Sequence, residues 1–166
     1  MKNKIYLVGS MGSGKSSIGR LLAKKLKLPH YDLDKIMEID QGMSICTIFQ
    51  KYNEEYFRNL ESITLEKYSK LSSFVISTGG GAILKEKNQK LFNDGCVIYL
   101  KISLDAQYER IKNRSHRPLL DKKDVRSELE ILDNIRGKIY ENVSNIEVDV
   151  SNLDKEDVLS SIINKL

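Results

Sequence analysis

The residues Gly9-Ser10-Met11-Gly12-Ser13-Gly14-Lys15-Ser16 match the phosphate-binding pattern G-x-x-x-x-G-K-[ST] at every fixed position. The chemistry this implies is the cradling of a nucleoside triphosphate, ATP or GTP. The glycines free the backbone N–H groups to point inward. The helix that opens near Lys15 adds its positive end. Lys15 would reach the β- and γ-phosphates, the Ser16 hydroxyl would ligate magnesium, and Gly12, Ser13, Gly14 and Ser17 would complete the contact. Such a loop works only between a strand and a helix. The apolar run Lys4 to Val8 reads as the strand, and Ile18 to Leu28 carries apolar residues at helical spacing.

Three further groups could act on a second substrate. Asp32 and Asp34 follow the expected second strand, and in open parallel sheets ligands bind outside the carboxyl ends of the strands. One aspartate suits magnesium and the other a hydroxyl awaiting phosphorylation; helix N-capping accounts for either equally well. Thr78-Gly79-Gly80-Gly81 follows the third strand, and three successive glycines let a small polar ligand approach the backbone. Arg58 and Glu61 lie three apart in a helical stretch from Asn53 to Ser72. That spacing alone favours a surface ion pair; the alternative is that Glu61 orients Arg58 to grip a carboxylate. Arg110, Lys112, Arg114 and Arg117 form a cationic cluster of the kind a nucleotide enzyme needs.

The elements that must position these residues fit one domain of 166 residues, 40% hydrophobic. Strands are expected at Lys4 to Val8, His30 to Tyr31, Phe74 to Ser77, Cys96 to Lys101 and Ile146 to Val150, with helices between them. That alternation predicts an α/β three-layer sandwich built on a parallel sheet. Leu28-Pro29 and Gly42 stop helices; Ser44 and Ser103 start them. Asn113 to Asp124 is charged and nearly devoid of apolar residues, and reads as a lid. Cys46 and Cys96 read as thiols in the core. No run approaches the roughly 20 apolar residues of a membrane span, and no signal-peptide pattern opens the chain, so a cytoplasmic protein is expected. The net charge of +4 is spread among acidic residues without a stripe of interleaved aromatics, which argues against nucleic acid. His30 is expected to pack near the second strand and His116 to face solvent.

In order and spacing, the phosphate loop with Met11, Asp32 and Asp34, Phe57-Arg58 with Glu61, Gly79 to Gly81, Arg117-Pro118-Leu119-Leu120, and Arg136 with Tyr140 resemble the shikimate kinase family along nearly the whole chain. The resemblance implies a five-stranded parallel sheet of order 2-3-1-4-5, a P-loop fold of the nucleoside monophosphate kinase type. It also implies transfer of phosphate from ATP to shikimate, with Mg2+, giving shikimate 3-phosphate on the way to aromatic amino acids. Carried over by position, Asp34 binds the ring hydroxyls, Arg58 and Arg136 the carboxylate, and Gly79, Gly80 and Gly81 the ring. Lys15 and Arg117 hold the transferring phosphoryl group, Ser16 and Asp32 the magnesium, and Arg110 the adenine face. Lys15, Asp34 and Arg117 would be the catalytic residues, residues 33–62 the substrate-binding region, 112–124 the lid, and the protein a monomer. Ser10 replaces a larger apolar residue common in the family. Asp149 to Lys155 is only loosely similar, and no contacts are assigned there.

Overall fold

The computed structural model describes residues 3–112 and 124–166. Strands β1 (Lys4–Val8), β2 (His30–Asp32), β3 (Phe74–Ser77), β4 (Cys96–Lys101) and β5 (Ile146–Asp149) form one parallel sheet in the order β2-β3-β1-β4-β5. This is the expected order. Helix α1 (Lys15–Leu26) follows β1, and α2 (Leu33–Gln41), α3 (Ile45–Lys51) and α4 (Glu54–Ser69) lie between β2 and β3. Beyond β3 come a 3-10 turn (Ala82–Leu84), α5 (Glu86–Leu91) and a second 3-10 turn (Phe92–Asp94). Helix α6 (Leu104–Ile111) follows β4, α7 (Val125–Val143) precedes β5, and α8 (Lys155–Lys165) closes the described chain.

The three inner strands, β1, β3 and β4, are nearly continuous apolar runs because both faces of the sheet are covered there, whereas the edge strands β2 and β5 carry polar residues. Along β1, Ile5 and Leu7 pack with Leu22 of α1 and Ile162 of α8, whereas Tyr6 and Val8 point the other way, toward Leu65 of α4 and Tyr140 of α7. A third small core, Met37, Ile48 and Phe57, holds α2, α3 and α4 together. It gives residues 33–62 their own packing unit.

Side-chain caps set several boundaries. The hydroxyls of Ser44 and Ser103 and the amide oxygen of Asn53 accept backbone N–H groups at the starts of α3, α6 and α4, and Asp124 caps α7 in the same way. Gly42 ends α2 at φ 63. The first helix stops earlier than Leu28: Lys27 takes a left-handed conformation at φ 57, and its N–H and that of Leu28 close back onto Ala23 and Lys24. Helix α4 ends at Ser69 instead of Ser72, and β5 at Asp149 instead of Val150. No helix among the described residues is long and apolar enough to cross a membrane.

Candidate active site

The phosphate loop links β1 to α1, with Gly9, Gly12 and Gly14 at φ 142, 80 and 91, conformations a side chain would strain. The Lys15 ammonium donates to the carbonyls of Gly9 at 2.7 Å and Ser10 at 2.9 Å. From outside, α6 braces the tip: Gln107 Nε2 donates to the Met11 carbonyl at 2.9 Å, and Arg110 to that of Gly12 at 3.3 Å. These bonds occupy the carbonyls from Gly9 to Gly12, and the Ser13 N–H turns back onto the Ser10 carbonyl at 3.3 Å. The Ser13 hydroxyl is buried and accepts or donates no hydrogen bond.

Beside the loop lies a cavity of about 640 Å³, walled by Gly12, Gly14, Ser17, Arg110, Val150 and Leu153. Arg110 is anchored there through the Val150 carbonyl at 2.6 Å. Gln107 was not foreseen, and in the wall from Val150 to Val158 no residue was assigned, although in the family the resemblance points to, Asp149 to Lys155 is the segment that contacts adenine. A glutamine on an amphipathic helix carries no local signal, and the 150s meet the loop only because β4 and β5 lie side by side beyond β1.

A second cavity, of about 560 Å³, opens on the other side of Met11. It brings together Asp34, Arg58, the glycines 79 to 81 and Arg136, as expected, and adds Cys46 and Phe49, which were not. Neither cysteine is in a disulfide; Cys96 is buried, but Cys46 is half-exposed on this wall instead of in the core.

The Arg58–Glu61 pair corrects the surface reading. Arg58 is 8% exposed and Glu61 1%, and Arg58 NH1 donates to Glu61 Oε2 at 2.8 Å while a second edge reaches Glu54. The glycines make this possible. A Cβ on Gly81 would fall 2.3 Å from Arg58 NH1, and one on Gly79 would fall 2.4 Å from Glu61 Oε1 and 2.9 Å from Asp34 Oδ1. Arg136 is 6% exposed and stands beside Gly80, whose carbonyl takes the Tyr140 hydroxyl.

Asp32 and Asp34 part company. Asp32 caps α2, accepting from the Lys35 N–H at 3.4 Å, so the capping alternative holds for it. Asp34 caps nothing: its Oδ1 is buried and unpartnered, as is Glu61 Oε1. Burial, and then the Glu61 carboxylate, push the Asp34 carboxyl up to about 6, with Lys15 opposing. Burial likewise raises Glu61 despite its bond to Arg58. Arg117 and most of the expected lid, with Arg114 and His116, lie outside the described residues. His30 packs where expected, bonded to Ser77.

A parallel sheet of this order, a phosphate loop at its centre and a neighbouring cavity that holds Asp34, Arg58, Glu61 and Arg136 define a P-loop phosphotransferase of the nucleoside monophosphate kinase type. The shikimate kinase family model matches residues 11–166. Shikimate kinase from Legionella pneumophila (strain Corby) is 39% identical over 163 residues, covering 98% of this chain and 93% of that protein. That from Thioalkalivibrio sulfidiphilus is 43% identical over 148 residues, 89% of this chain and 78% of that one. The solved structure of shikimate kinase from Acinetobacter baumannii in complex with shikimate superposes with a TM-score of 0.94 at 32% identity, covering 98% of this chain and 91% of that chain. The chain belongs to the shikimate kinase family. A gluconokinase from Sinorhizobium meliloti, with a TM-score of 0.63 at 20% identity, shares the fold.

Proposed function

We propose that this chain transfers the γ-phosphoryl group of ATP to the 3-hydroxyl of shikimate, releasing ADP and shikimate 3-phosphate for aromatic amino acid synthesis. The observation that carries this reading is the pair of buried arginines, Arg58 and Arg136, on one wall of a cavity beside the phosphate loop. Two guanidiniums against a glycine-lined wall suit a compact carboxylate, whereas a nucleotide acceptor would call for a pocket for its base.

The substrate hydroxyl attacks the γ-phosphorus and the bond to the β–γ bridging oxygen breaks. Asp34 accepts the hydroxyl proton, Gly79 to Gly81 bear on the ring, and Lys15 follows the charge on the transferring group. Arg117 does the same from the lid expected at residues 112–124, and Arg110 lies against the adenine. Oxygen donors, the Ser16 hydroxyl and the Asp32 carboxylate, fit a hard cation, and Asp32 is held in place at the N-terminus of α2. Bound there, Mg2+ would neutralise phosphate charge. Among the described residues no cluster of His, Cys, Asp or Glu side chains offers an all-protein metal cage. The chain acts on these small molecules as a cytoplasmic monomer, with neither nucleic acid nor a membrane as partner.

Calorimetric titration tests the carboxylate clamp. Arg58→Ala should weaken shikimate binding by about 2 kcal/mol or more, because a desolvated carboxylate loses a partner, and leave ATP binding in its absence nearly unchanged. An analogue with a neutral amide in place of the carboxylate should bind wild type poorly, and the variant should scarcely tell the two apart. Equal acid-over-amide preference in both proteins would refute the clamp.

Gly79→Ala probes the same wall. The added methyl would strike Glu61 and Asp34, so shikimate KM should rise at least tenfold, roughly the weight of one misplaced charged partner. The dissociation constant for MgADP should hold. A variant with normal shikimate KM would show that the wall is not as tight as its contacts imply.

A further inference from the structure

We propose that His30 and Ser77 form a hydrogen-bond relay that positions the first turn of the phosphate-binding helix for catalysis. This rests on the kinase reading above and adds two positioning residues to it.

His30 Nε2 lies 2.9 Å from Ser77 Oγ, and Ser77 Oγ donates to the backbone carbonyl of Lys15 at 2.9 Å. Proton accounting fixes the direction. The serine has one hydroxyl proton, which goes to Lys15, so toward His30 it can only accept, and Nε2 must carry a hydrogen.

The three groups meet because α1 carries a glycine at the contact. A Cβ on Gly19 would stand 2.4 Å from Ser77 Oγ and 2.6 Å from His30 Nε2. Gly19 is one turn beyond Lys15, so any side chain there would push the helix start away from β2 and β3.

Each partner belongs to a segment that ends in the site. His30 begins β2, two residues before Asp32 and four before Asp34; Ser77 ends β3, two residues before Gly79; Lys15 starts α1. The relay thus locks the phosphate-binding helix against the two strands that present the acceptor-side groups. Phosphoryl transfer depends on in-line alignment of the hydroxyl with the γ-phosphate, and small displacements there are costly in rate. An apolar residue at position 30 could fill the same space but could not donate, leaving the Ser77 hydroxyl half-satisfied.

The test compares His30→Leu, His30→Gln, Ser77→Ala and the His30→Leu/Ser77→Ala double variant, well below the melting temperature of each. Steady-state kcat and KM for ATP are measured at saturating shikimate, and MgADP is titrated without shikimate. One hydrogen bond of ordinary strength corresponds to a roughly two- to tenfold loss. His30→Leu and Ser77→Ala should each lower kcat/KM for ATP by that factor, and the double variant should be no worse than the poorer single one, since both cut one chain. His30→Gln, whose Nε2 amide can donate from a similar place, should recover most of the loss. Melting temperatures lowered with kcat/KM unchanged, a Gln variant as impaired as Leu, or multiplicative losses would each overturn the relay. Should His30→Leu fail to fold, Ser77→Ala against His30→Gln decides: normal kcat/KM in Ser77→Ala overturns it. Absence of shikimate-dependent ADP release in the wild type would instead overturn the kinase reading.

Discussion

Lys15→Ala is expected to lower kcat by on the order of 10³ while the fold stays intact, the loss typical when a preorganised charge is removed from a transition state. Lys15 is partly buried, and its ammonium is held by the loop carbonyls of Gly9 and Ser10, not by the core. Those carbonyls can turn to water in the variant, so the melting temperature should move by only a few degrees. Most of the loss should fall in kcat, because the loop amides and the nucleotide cavity still bind the ground-state nucleotide. Turnover near the wild-type rate would show that the loop does not serve phosphoryl transfer.

Asp34→Asn should separate activity from stability. As the proton acceptor, Asp34 is worth on the order of 10² to 10⁴ in kcat. Its folded-state pKa, about 6, stands above the ordinary carboxylate value because burial and Glu61 disfavour the charge. The stability tied to its proton is complete below the unfolded pKa, near 4, and is lost as pH rises through about 6. At pH 7.5 the ionised carboxylate therefore weighs against the fold, and asparagine relieves it. The variant should melt above wild type at pH 7.5 and no higher at pH 4. In wild type, kcat/KM for shikimate should fall as pH drops through about 6, where the acceptor of the free enzyme becomes protonated. In Glu61→Gln, which removes the neighbouring carboxylate, that limb should shift to lower pH. An Asp34→Asn protein that melts below wild type at pH 7.5, or keeps its turnover, would contradict this assignment.

What could be read from the sequence follows physical range. The phosphate loop is local, its glycine and lysine positions dictated by the turn, so it was legible outright. The inner strands were legible as apolar runs because both sheet faces are buried there; β2, at the edge, was the faintest, since only three residues pair and none is aliphatic. Arg58 and Glu61 at i and i+3 look the same on a surface as in a wall. Their burial depends on Gly79 and Gly81, some twenty residues away, which yield the room the side chains occupy. Asp32 and Asp34 were likewise inseparable by type, and only the helix start shows that one caps and the other points into the cavity. Gln107 and Val150 reach the loop through the β1-β4-β5 order, a relation that no stretch of sequence contains.

The central claim is the identity of the acceptor, and ADP release measured by a coupled assay addresses it most directly, with ATP, Mg2+ and shikimate, gluconate or AMP offered separately. A clamp of two arginines over a glycine-lined wall predicts rapid release with shikimate and only background with the other two. Background release with shikimate, or comparable turnover with gluconate or AMP, would contradict it.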